Sequence, residues 1–422
     1  MALTREPNRR LQETIAETGW TYDALASAIR RIAAENGETL RTNKSAVAHW
    51  IDGARPSGQT GQYIAEALSR RMGRPVSLAE IGIATAEDPL ATDIDPVLAA
   101  TDLGRADVES RRFLAIAVFT TAGVAMPLGY DHEPVSRLLR ARTGTALVGA
   151  EEIDIVRQVT AVFGAADERL GGGHGLTTVT AYLADTAAPM LSARFPSERV
   201  RRQAFGAVAE LTYLAGWKHH DLGQEGAAQR YYQVGYQLAC EADPRGHAGW
   251  MMRVLAHQAL SMRQPRHCVA LIEDALTRSL GCIDGQTEAL LHITHARAHA
   301  ASGEKAIAAK ALLAAENAIA RQDEPQASFS LVSGPAAGTV VSHTARTLSD
   351  LADHVGAQRQ HRAALIHWDA EKYKRVHILT HADLGDSFAV QNRADEAVAT
   401  WGSGPNCPRY HVAIRLLCTP HG

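Results

Sequence analysis

The feature that most constrains the fold is a pattern of small and aromatic residues in the second half of the chain. In the segment LTYLAGWKHHDLGQEGAAQRYYQVGYQLA, Gly216 precedes a turn at Gly223, and Ala228 and Tyr232 follow the turn at helical spacing. Small residues allow two helices to approach closely, and the aromatic ring fills the space beside a neighbouring unit. The pattern therefore predicts paired α-helices.

The same pattern recurs with substitutions, as expected of degenerate repeats. Equivalent positions are Ala296, Ala308, Leu312 and Ala315 around a turn at Gly303; Gly385, Ala397 and Trp401 around a turn at Asn392; and Ala256, Cys268, Ile272 and Ala275 in a weaker unit. Gly223 and Gly303 are 80 residues apart, or two units of 40, and the next interval is 89. These intervals predict an α-solenoid of helical hairpins with inserts.

Composition supports an all-α protein of two or three domains. Hydrophobic residues make up 46% of the 422 residues but aromatic residues only 5%, so small aliphatic side chains must fill the core, which favours closely packed helices. The five cysteines are scattered, which indicates reduced thiols rather than disulfides or a zinc ribbon. The chain begins without the apolar run of a secretory signal, so we expect a cytoplasmic protein that does not enter a membrane. The cysteines are Cys240, Cys268, Cys282, Cys407 and Cys418.

The stretch TLRTNKSAVAHWIDGARPS, residues 39–57, has the pattern of a DNA-reading helix. Thr42 or Asn43 can cap its N-terminus, Val47 and Trp50 can face a small core, and Gly53 can end it. In helix-turn-helix proteins the first turn of the second motif helix meets base edges in the major groove. Residues 1–75 contain eleven Lys or Arg and eight Asp or Glu, whereas the whole chain has a net charge of −3. A basic N-terminal module indicates contact with phosphate.

The segment LRTNKSAVAHWIDGARP, followed by YIAEALSRRMGRPVSLAEIG, resembles the N-terminal domain of XRE-type regulators from actinobacteria. Those regulators carry a tetratricopeptide-like (TPR-like) helical repeat domain behind the helix-turn-helix domain. The family's motif positions fall on Ser45, Val47, Trp50, Gly53 and Pro56. The resemblance implies sequence-specific DNA binding, with Trp50 in the core.

These observations predict a transcriptional regulator and not an enzyme. We expect a homodimer on an operator, because helix-turn-helix proteins usually read two half-sites. The predicted DNA-binding residues are Arg41, Thr42, Asn43, Lys44, Ser45 and His49, with Arg55, Gln59 and Thr60 on phosphate. The alternative is an interaction scaffold without sequence-specific DNA binding. Hydrolase, metalloprotease, P-loop and dinucleotide-binding motifs are absent from the sequence.

The predicted domain boundaries follow composition. Residues 1–84 form the helix-turn-helix domain, 85–109 an acidic, proline-containing linker, 110–145 a connecting apolar helix, and 146–422 the TPR-like repeats. The apolar run 113–128 is shorter than the roughly 20 residues of a membrane span, so we favour a buried helix over a membrane-associated segment or an export signal. Residues 326–342 are expected to form a loop between repeat units.

The repeats are expected to enclose a groove for dimerisation or for a peptide or small-molecule signal. Its candidate lining residues are Tyr213, Trp217, Tyr232, Tyr236, Trp250, His292, His295 and His299. The aromatic residues could instead pack between repeats. His295 and His299 have the i, i+4 spacing that can bind zinc, but without an acidic residue between them we favour polar groove lining, and we expect no metal and no cofactor. Gly171–Gly173 with His174 are interpreted as a helix connector rather than a phosphate cradle.

Overall fold

The computed structural model describes residues 6–36, 38–83, 95–109, 119–130, 133, 147–321 and 325–403. Over these ranges the chain is helical, and the only β-type pairing is an isolated bridge between Leu147 and Arg194. Consecutive helices pack against each other in pairs along the second half of the chain. The prediction of an all-α fold with a solenoid-like succession of helical hairpins is confirmed.

Four helices form the N-terminal part of the described chain, and polar side chains cap three of them. Asn8, Thr21 and Asn43 each accept a hydrogen bond from a backbone N–H of the first turn that follows. Leu25, Val47 and other apolar residues of all four helices form one buried cluster. The helices are α1 Arg9–Thr18, α2 Tyr22–Glu35, α3 Lys44–Ile51 and α4 Thr60–Met72.

The second part of the predicted linker is a packed helix, α5 Pro96–Glu109, so the linker prediction is wrong for these residues. Asp95 accepts hydrogen bonds from the N–H groups of Val97 and Leu98 and therefore caps this helix. Proline is favoured at the first helical position, where its missing N–H costs nothing. A Cβ on Gly104 would lie 2.6 Å from the carbonyl oxygen of Thr180, which shows how closely α5 packs on the solenoid.

The predicted connecting helix, residues 110–145, falls largely outside the described residues. Within it the structure shows α6, Thr121–Gly129. Next come α7 Ala150–Leu170, α8 Leu176–Tyr182, a π-helical turn at Leu183–Ala187 and α9 Ala188–Met190. In the part of the chain that is described, no helix combines the length and the apolar character needed to cross a membrane.

Eleven further helices follow in the described residues. They are α10 Glu198–Asp221, α11 Glu225–Ala242, α12 Gly246–Ser261, α13 Pro265–Ser279, α14 Gly285–Ala301, α15 Lys305–Ala320, α16 Ser328–Leu331, α17 Ala336–Asp350, α18 His354–His367, α19 Lys374–Ala389 and α20 Ala394–Ser403.

A residue in the left-handed conformation marks each hairpin turn of this array. The backbone φ is +73° at Gly223, +57° at Arg263, +80° at Gly303, +65° at Ala352 and +59° at Asn392. These turns recur every 40 residues except for one interval of 49, between Gly303 and Ala352. The structure therefore confirms the predicted 40-residue spacing and adds two turns that lack glycine.

The predicted close approach of small and aromatic residues is also present. A Cβ on Gly216 would lie 2.6 Å from the Tyr232 ring, and one on Gly385 would lie 2.2 Å from Trp401. In both hairpins a glycine of the first helix gives space to an aromatic side chain of the second.

The long interval contains α16 and the start of α17, so the prediction of a loop over residues 326–342 is wrong in part. Pro335 caps α17, and Gly338 lies within its first turn. A Cβ on Gly338 would lie 2.6 Å from Trp368, whose indole N–H donates a hydrogen bond to Ser342 at 3.0 Å. Proline and glycine here begin the helix and admit the Trp368 ring instead of interrupting the helix.

Candidate functional site

The outer side of α3 is polar and exposed. The exposed residues among those predicted to meet DNA are Arg41, Asn43, Lys44, Ser45, His49 and Arg55. The opposite side of the helix places Val47, Trp50 and Ile51 in the core, as the sequence predicts. Donors and a cation therefore lie at the first turn of α3, where a helix-turn-helix protein would contact bases.

Three residues predicted to contact DNA are less exposed to solvent than the sequence suggests. Thr42 and Thr60 are buried, and Gln59 is half-buried. The carbonyl of Thr42 accepts a hydrogen bond from the Arg30 guanidinium, which holds the loop against α2. The prediction that the side chains of Thr42 and Thr60 bind DNA is therefore not supported, because they belong to the interior of the domain.

A buried carboxylate connects this domain to the solenoid. Glu66 on α4 forms an ion pair with Arg70 at 2.6 Å, and Arg70 also pairs with Glu35 at 2.6 Å. The Glu66 carboxylate accepts hydrogen bonds from the backbone N–H and the hydroxyl of Thr121 at 2.7 and 3.2 Å. The adjacent Thr120 exchanges two backbone hydrogen bonds with the Gln229 amide on α11, at 2.8 and 2.6 Å. Residues 120 and 121 thus bind both parts of the protein.

The solenoid contains a partly open cavity of about 570 Å³. It lies among α7, α10, α12, α17, α18 and α19, and the segment 328–335 borders it. Of the predicted groove residues, Tyr213, Trp217 and Tyr232 line it; the Tyr213 ring stacks near Trp217 and Tyr232, with centroid distances of 6.4 and 6.1 Å. One wall of the cavity is therefore aromatic.

A cationic cluster forms another part of the lining. Arg253 donates from Nε to the Leu290 carbonyl at 3.0 Å and to the Thr294 hydroxyl at 3.1 Å, and among the described residues it has no ion pair with a carboxylate. Burial lowers the pKa of Arg253 to about 10. Nearby Arg346 pairs with Asp383 at 2.7 Å. An uncompensated buried guanidinium is costly, so an anionic group placed here would be stabilised.

Two histidines complete this cationic end. The imidazoles of His257 and His343 stack with centroids 5.4 Å apart and planes inclined by 11°. Burial, followed by the positive charge of Arg297, lowers the pKa of both rings well below the usual value. Both rings are therefore neutral near pH 7 and can donate or accept hydrogen bonds without adding charge.

The opposite end of the cavity is closed by internal ion pairs. Lys218 and Asp167 form a fully buried ion pair at 3.1 Å. Arg375 pairs with Asp221 at 2.8 Å, and its guanidinium lies 5.0 Å from the centre of the Trp217 ring. Burial raises the pKa of Glu168, which also faces Arg375. The charges at this end are matched within the protein, in contrast to Arg253.

The short helix α16 covers one side of the cavity. Phe329 stacks on His247 at 4.7 Å between ring centres, and the Ser328 hydroxyl donates to Glu210 at 2.9 Å. Burial, followed by the positive charge of Arg157, lowers the pKa of His247 to about 3. Leu331 and Pro335 then contribute to the cavity lining. The insert in the repeat array therefore forms a lid.

The other predicted groove residues lie elsewhere, which corrects that part of the prediction. The Tyr236 hydroxyl donates to the Pro127 carbonyl at 3.2 Å, so this residue secures α6. Trp250 is fully buried behind Tyr213, at 4.9 Å between ring centres. His292, His295 and His299 lie on α14, outside the cavity lining.

Sequence reasoning missed Arg253, His257, His343 and Arg346, because these residues come from separate hairpins and match no short motif. The glycine-rich connector is interpreted correctly as a structural element. The Gly172 N–H donates to the Asp221 carboxylate at 2.8 Å, and a Cβ on Gly172 would lie 2.6 Å from the Lys218 carbonyl oxygen. These contacts hold the connector against the end of α10.

A known family model matches the N-terminal part of the chain. Residues 11–84, which include most of α1 and all of α2–α4, match the family model described as the SP15 N-terminal domain. No curated protein matches the chain. The matched residues include the exposed polar side of α3.

Proposed function

We propose that the protein is a DNA-binding transcriptional regulator whose solenoid cavity binds a signal molecule that carries an anionic group. The observation that carries the proposal is the exposed side of α3, with Lys44 and Ser45 in its first turn and His49 in its last turn. The resemblance of this segment to XRE-type regulators supports the same function. The proposed regulator acts in the cytoplasm as a homodimer, so that two copies of α3 read two half-sites.

The cavity supports the second part of the proposal. Its aromatic wall suits an apolar or flat group. Arg253, which has no carboxylate partner among the described residues, lies beside His257 and His343 and suits a carboxylate. A peptide with a free C-terminus and a small carboxylic acid share this chemistry. The lid formed by residues 328–335 would cover such a ligand.

The contacts of Thr120 and Thr121 suggest how ligand binding could influence DNA binding. Gln229, which holds Thr120, lies on the same helix as the cavity residue Tyr232. Glu66, which holds Thr121, lies on α4 of the DNA-binding domain. A ligand that binds two arrangements of this connection unequally would change the affinity for DNA.

DNA binding is tested by titrating the full-length protein against genomic fragments at several salt concentrations. A regulator prefers particular fragments and shows a steep decline of log K with log salt. Arg55→Gln, at a predicted phosphate contact, should weaken binding to all fragments and reduce that slope by about one unit, and His49→Ala should cost about 1–3 kcal/mol at one base position. Arg74→Gln is the matched control, because Arg74 is paired with Glu80 at 2.7 Å. A flat salt dependence without fragment preference would favour the alternative, an interaction scaffold.

Ligand binding is tested separately by thermal shift with matched peptides that end in a free carboxylate or in an amide. We expect stabilisation by the free-carboxylate series alone and loss of that stabilisation in Arg253→Met. Equal shifts with both series would contradict the role assigned to Arg253, while leaving the DNA-binding proposal untouched.

A further inference from the structure

A cluster of three potential metal ligands lies at the contact between two successive hairpins. His295 and His299 are one turn apart on α14, and Glu273 comes from α13 of the preceding hairpin. The two imidazole Nε2 atoms are 2.8 Å apart. The Glu273 Oε1 atom is 3.8 Å from Nε2 of His295 and 3.7 Å from Nε2 of His299. Three ligand atoms therefore converge on one point.

We propose that Glu273, His295 and His299 form a zinc-binding site. In a tetrahedral site with bonds of about 2.0–2.1 Å, neighbouring ligand atoms are roughly 3.4 Å apart. The three distances in the cluster lie on both sides of that value, so shifts of a few tenths of an ångström would place an ion between them. Two imidazoles with one carboxylate suit Zn²⁺ better than Mg²⁺ or Ca²⁺, which prefer oxygen ligands.

A second observation points to the same use of His299. Its Nδ1 atom lies 2.5 Å from the Glu304 carboxylate, and its side chain is 3% exposed. A carboxylate on Nδ1 fixes the proton there and leaves the Nε2 lone pair directed at the cluster. Zinc-binding histidines commonly have such a partner, which orients the ring and raises its basicity as a ligand.

The location indicates what the ion would do. The Glu273 side chain is 56% exposed, so zinc could enter from solvent, and a water molecule would complete a set of three protein ligands. Because the ligands come from two hairpins, the ion would stabilise the contact of α13 with α14.

The proposed zinc site is independent of DNA binding and of the cavity. It also replaces the expectation from sequence that the histidines of α14 line a groove without metal.

The test is a zinc titration of the full-length, chelator-treated protein in competition with a chromophoric chelator, followed by Co²⁺ as a spectroscopic probe. We expect one equivalent of tight Zn²⁺ and the visible absorption of tetrahedral Co²⁺. His295→Ala and Glu273→Gln should each weaken Zn²⁺ at least tenfold, and Glu304→Gln by about 10–100-fold.

The matched control is His292→Ala, on the same helix but paired with Glu288 at 3.6 Å. It should bind Zn²⁺ as the unaltered protein does. Because Glu273 is exposed, Glu273→Gln still tests the site if His295→Ala fails to fold. Circular dichroism verifies the fold of each variant. The proposal is overturned if no stoichiometric Zn²⁺ binds, or if His292→Ala loses as much affinity as Glu273→Gln.

Discussion

Glu66 accepts a hydrogen bond from the backbone N–H of Thr121 at 2.7 Å, although the two residues are 55 positions apart. Both side chains are buried, and the Glu66 carboxylate also accepts the Thr121 hydroxyl. A buried carboxylate that loses a hydrogen-bond donor has no water to replace it. Loss of a Thr121 donor would therefore weaken the contact between the two parts of the protein. The position of the N-terminal domain on the solenoid therefore depends on a few polar contacts.

Thr121→Val should weaken this contact while keeping its shape. The variant retains the backbone N–H but loses the hydroxyl that donates to Glu66. We expect a loss of about 0.5–1.5 kcal/mol in the free energy of unfolding, measured by urea denaturation. Thr277→Val, at an exposed position of α13 where the hydroxyl donates to the backbone carbonyl of Glu273, is the control and should have a smaller effect. Equal losses in the two variants would show that the Glu66 contact contributes no more than a surface hydroxyl.

Gly216→Ala should destabilise the first hairpin of the repeat array. The added Cβ would lie 2.6 Å from the Tyr232 ring, so the two helices or the ring must move. Such overpacking costs about 1–3 kcal/mol. Gly164→Ala is the matched control: it is also helical, but its Cβ would meet nothing within 4 Å, so the alanine should stabilise by about 0.5–1 kcal/mol. Thermal unfolding of both variants measures the difference, and effects of the same sign would contradict the predicted packing.

Arg253→Met should abolish ligand binding without lowering the free energy of unfolding. Arg253 is a buried guanidinium with no carboxylate partner in the part of the chain that the structure describes. Replacing it by an apolar side chain of similar length should leave the free energy of unfolding unchanged or raise it by about 1–4 kcal/mol. The same variant should lose the carboxylate-dependent thermal shift. Chemical denaturation without ligand gives the first quantity. A large loss of stability would mean that Arg253 has a structural role in the folded chain rather than a role in binding.

The stability of the protein should decrease in mild acid. Burial lowers the pKa of His247 to about 3, whereas histidine in an unfolded chain titrates near 6.5. The unfolded chain therefore binds a proton that the folded one does not. The contribution of His247 is fully present above pH 6.5 and is lost as the pH falls towards 3, at up to about 1.4 kcal/mol per pH unit. His361, with a pKa lowered to about 4 by burial, acts in the same direction.

His247→Phe should reduce this acid sensitivity. The ring can still pack on Phe329, but it no longer takes up a proton on unfolding. Urea denaturation at several values between pH 4 and pH 7 should give a shallower pH dependence for the variant. Parallel curves for the variant and the unaltered protein would show that the His247 ring is protonated within the fold.

The periodic features of the fold were predictable from sequence, because each hairpin needs small residues where its two helices approach closely. The pairing of Gly216 with Tyr232 and the burial of Trp50 follow from local spacing. The weaker unit with Ala256 and Cys268 was found, but its turn residue, Arg263, was not assigned, because the left-handed conformation usually selects glycine or asparagine. The turn at Ala352 was missed for the same reason. Pro96 was assigned to a linker because proline both interrupts and begins helices, and only the cap from Asp95 distinguishes the two cases.

The binding sites were less predictable, because they depend on contacts between hairpins. Tyr213, Trp217 and Tyr232 were found from a local concentration of aromatic residues. Arg253 and Arg346 come together only when distant hairpins stack around one space. Similarly, the spacing of His295 and His299 indicates a possible pair of ligands, but Glu273 joins them from the preceding helix without any sequence signal.

The interval of 49 residues between the turns at Gly303 and Ala352 has a structural consequence for the cavity. The nine residues beyond the usual period fall in a connection, outside the paired helices that set how the hairpins stack. Phe329 on His247 and Ser328 on Glu210 hold this lid to the cavity wall, so a change in the connection would alter the ligand-facing surface on that side. A solenoid built in this way could acquire new ligand preferences by changing a single connection between hairpins while its scaffold of paired helices stays the same.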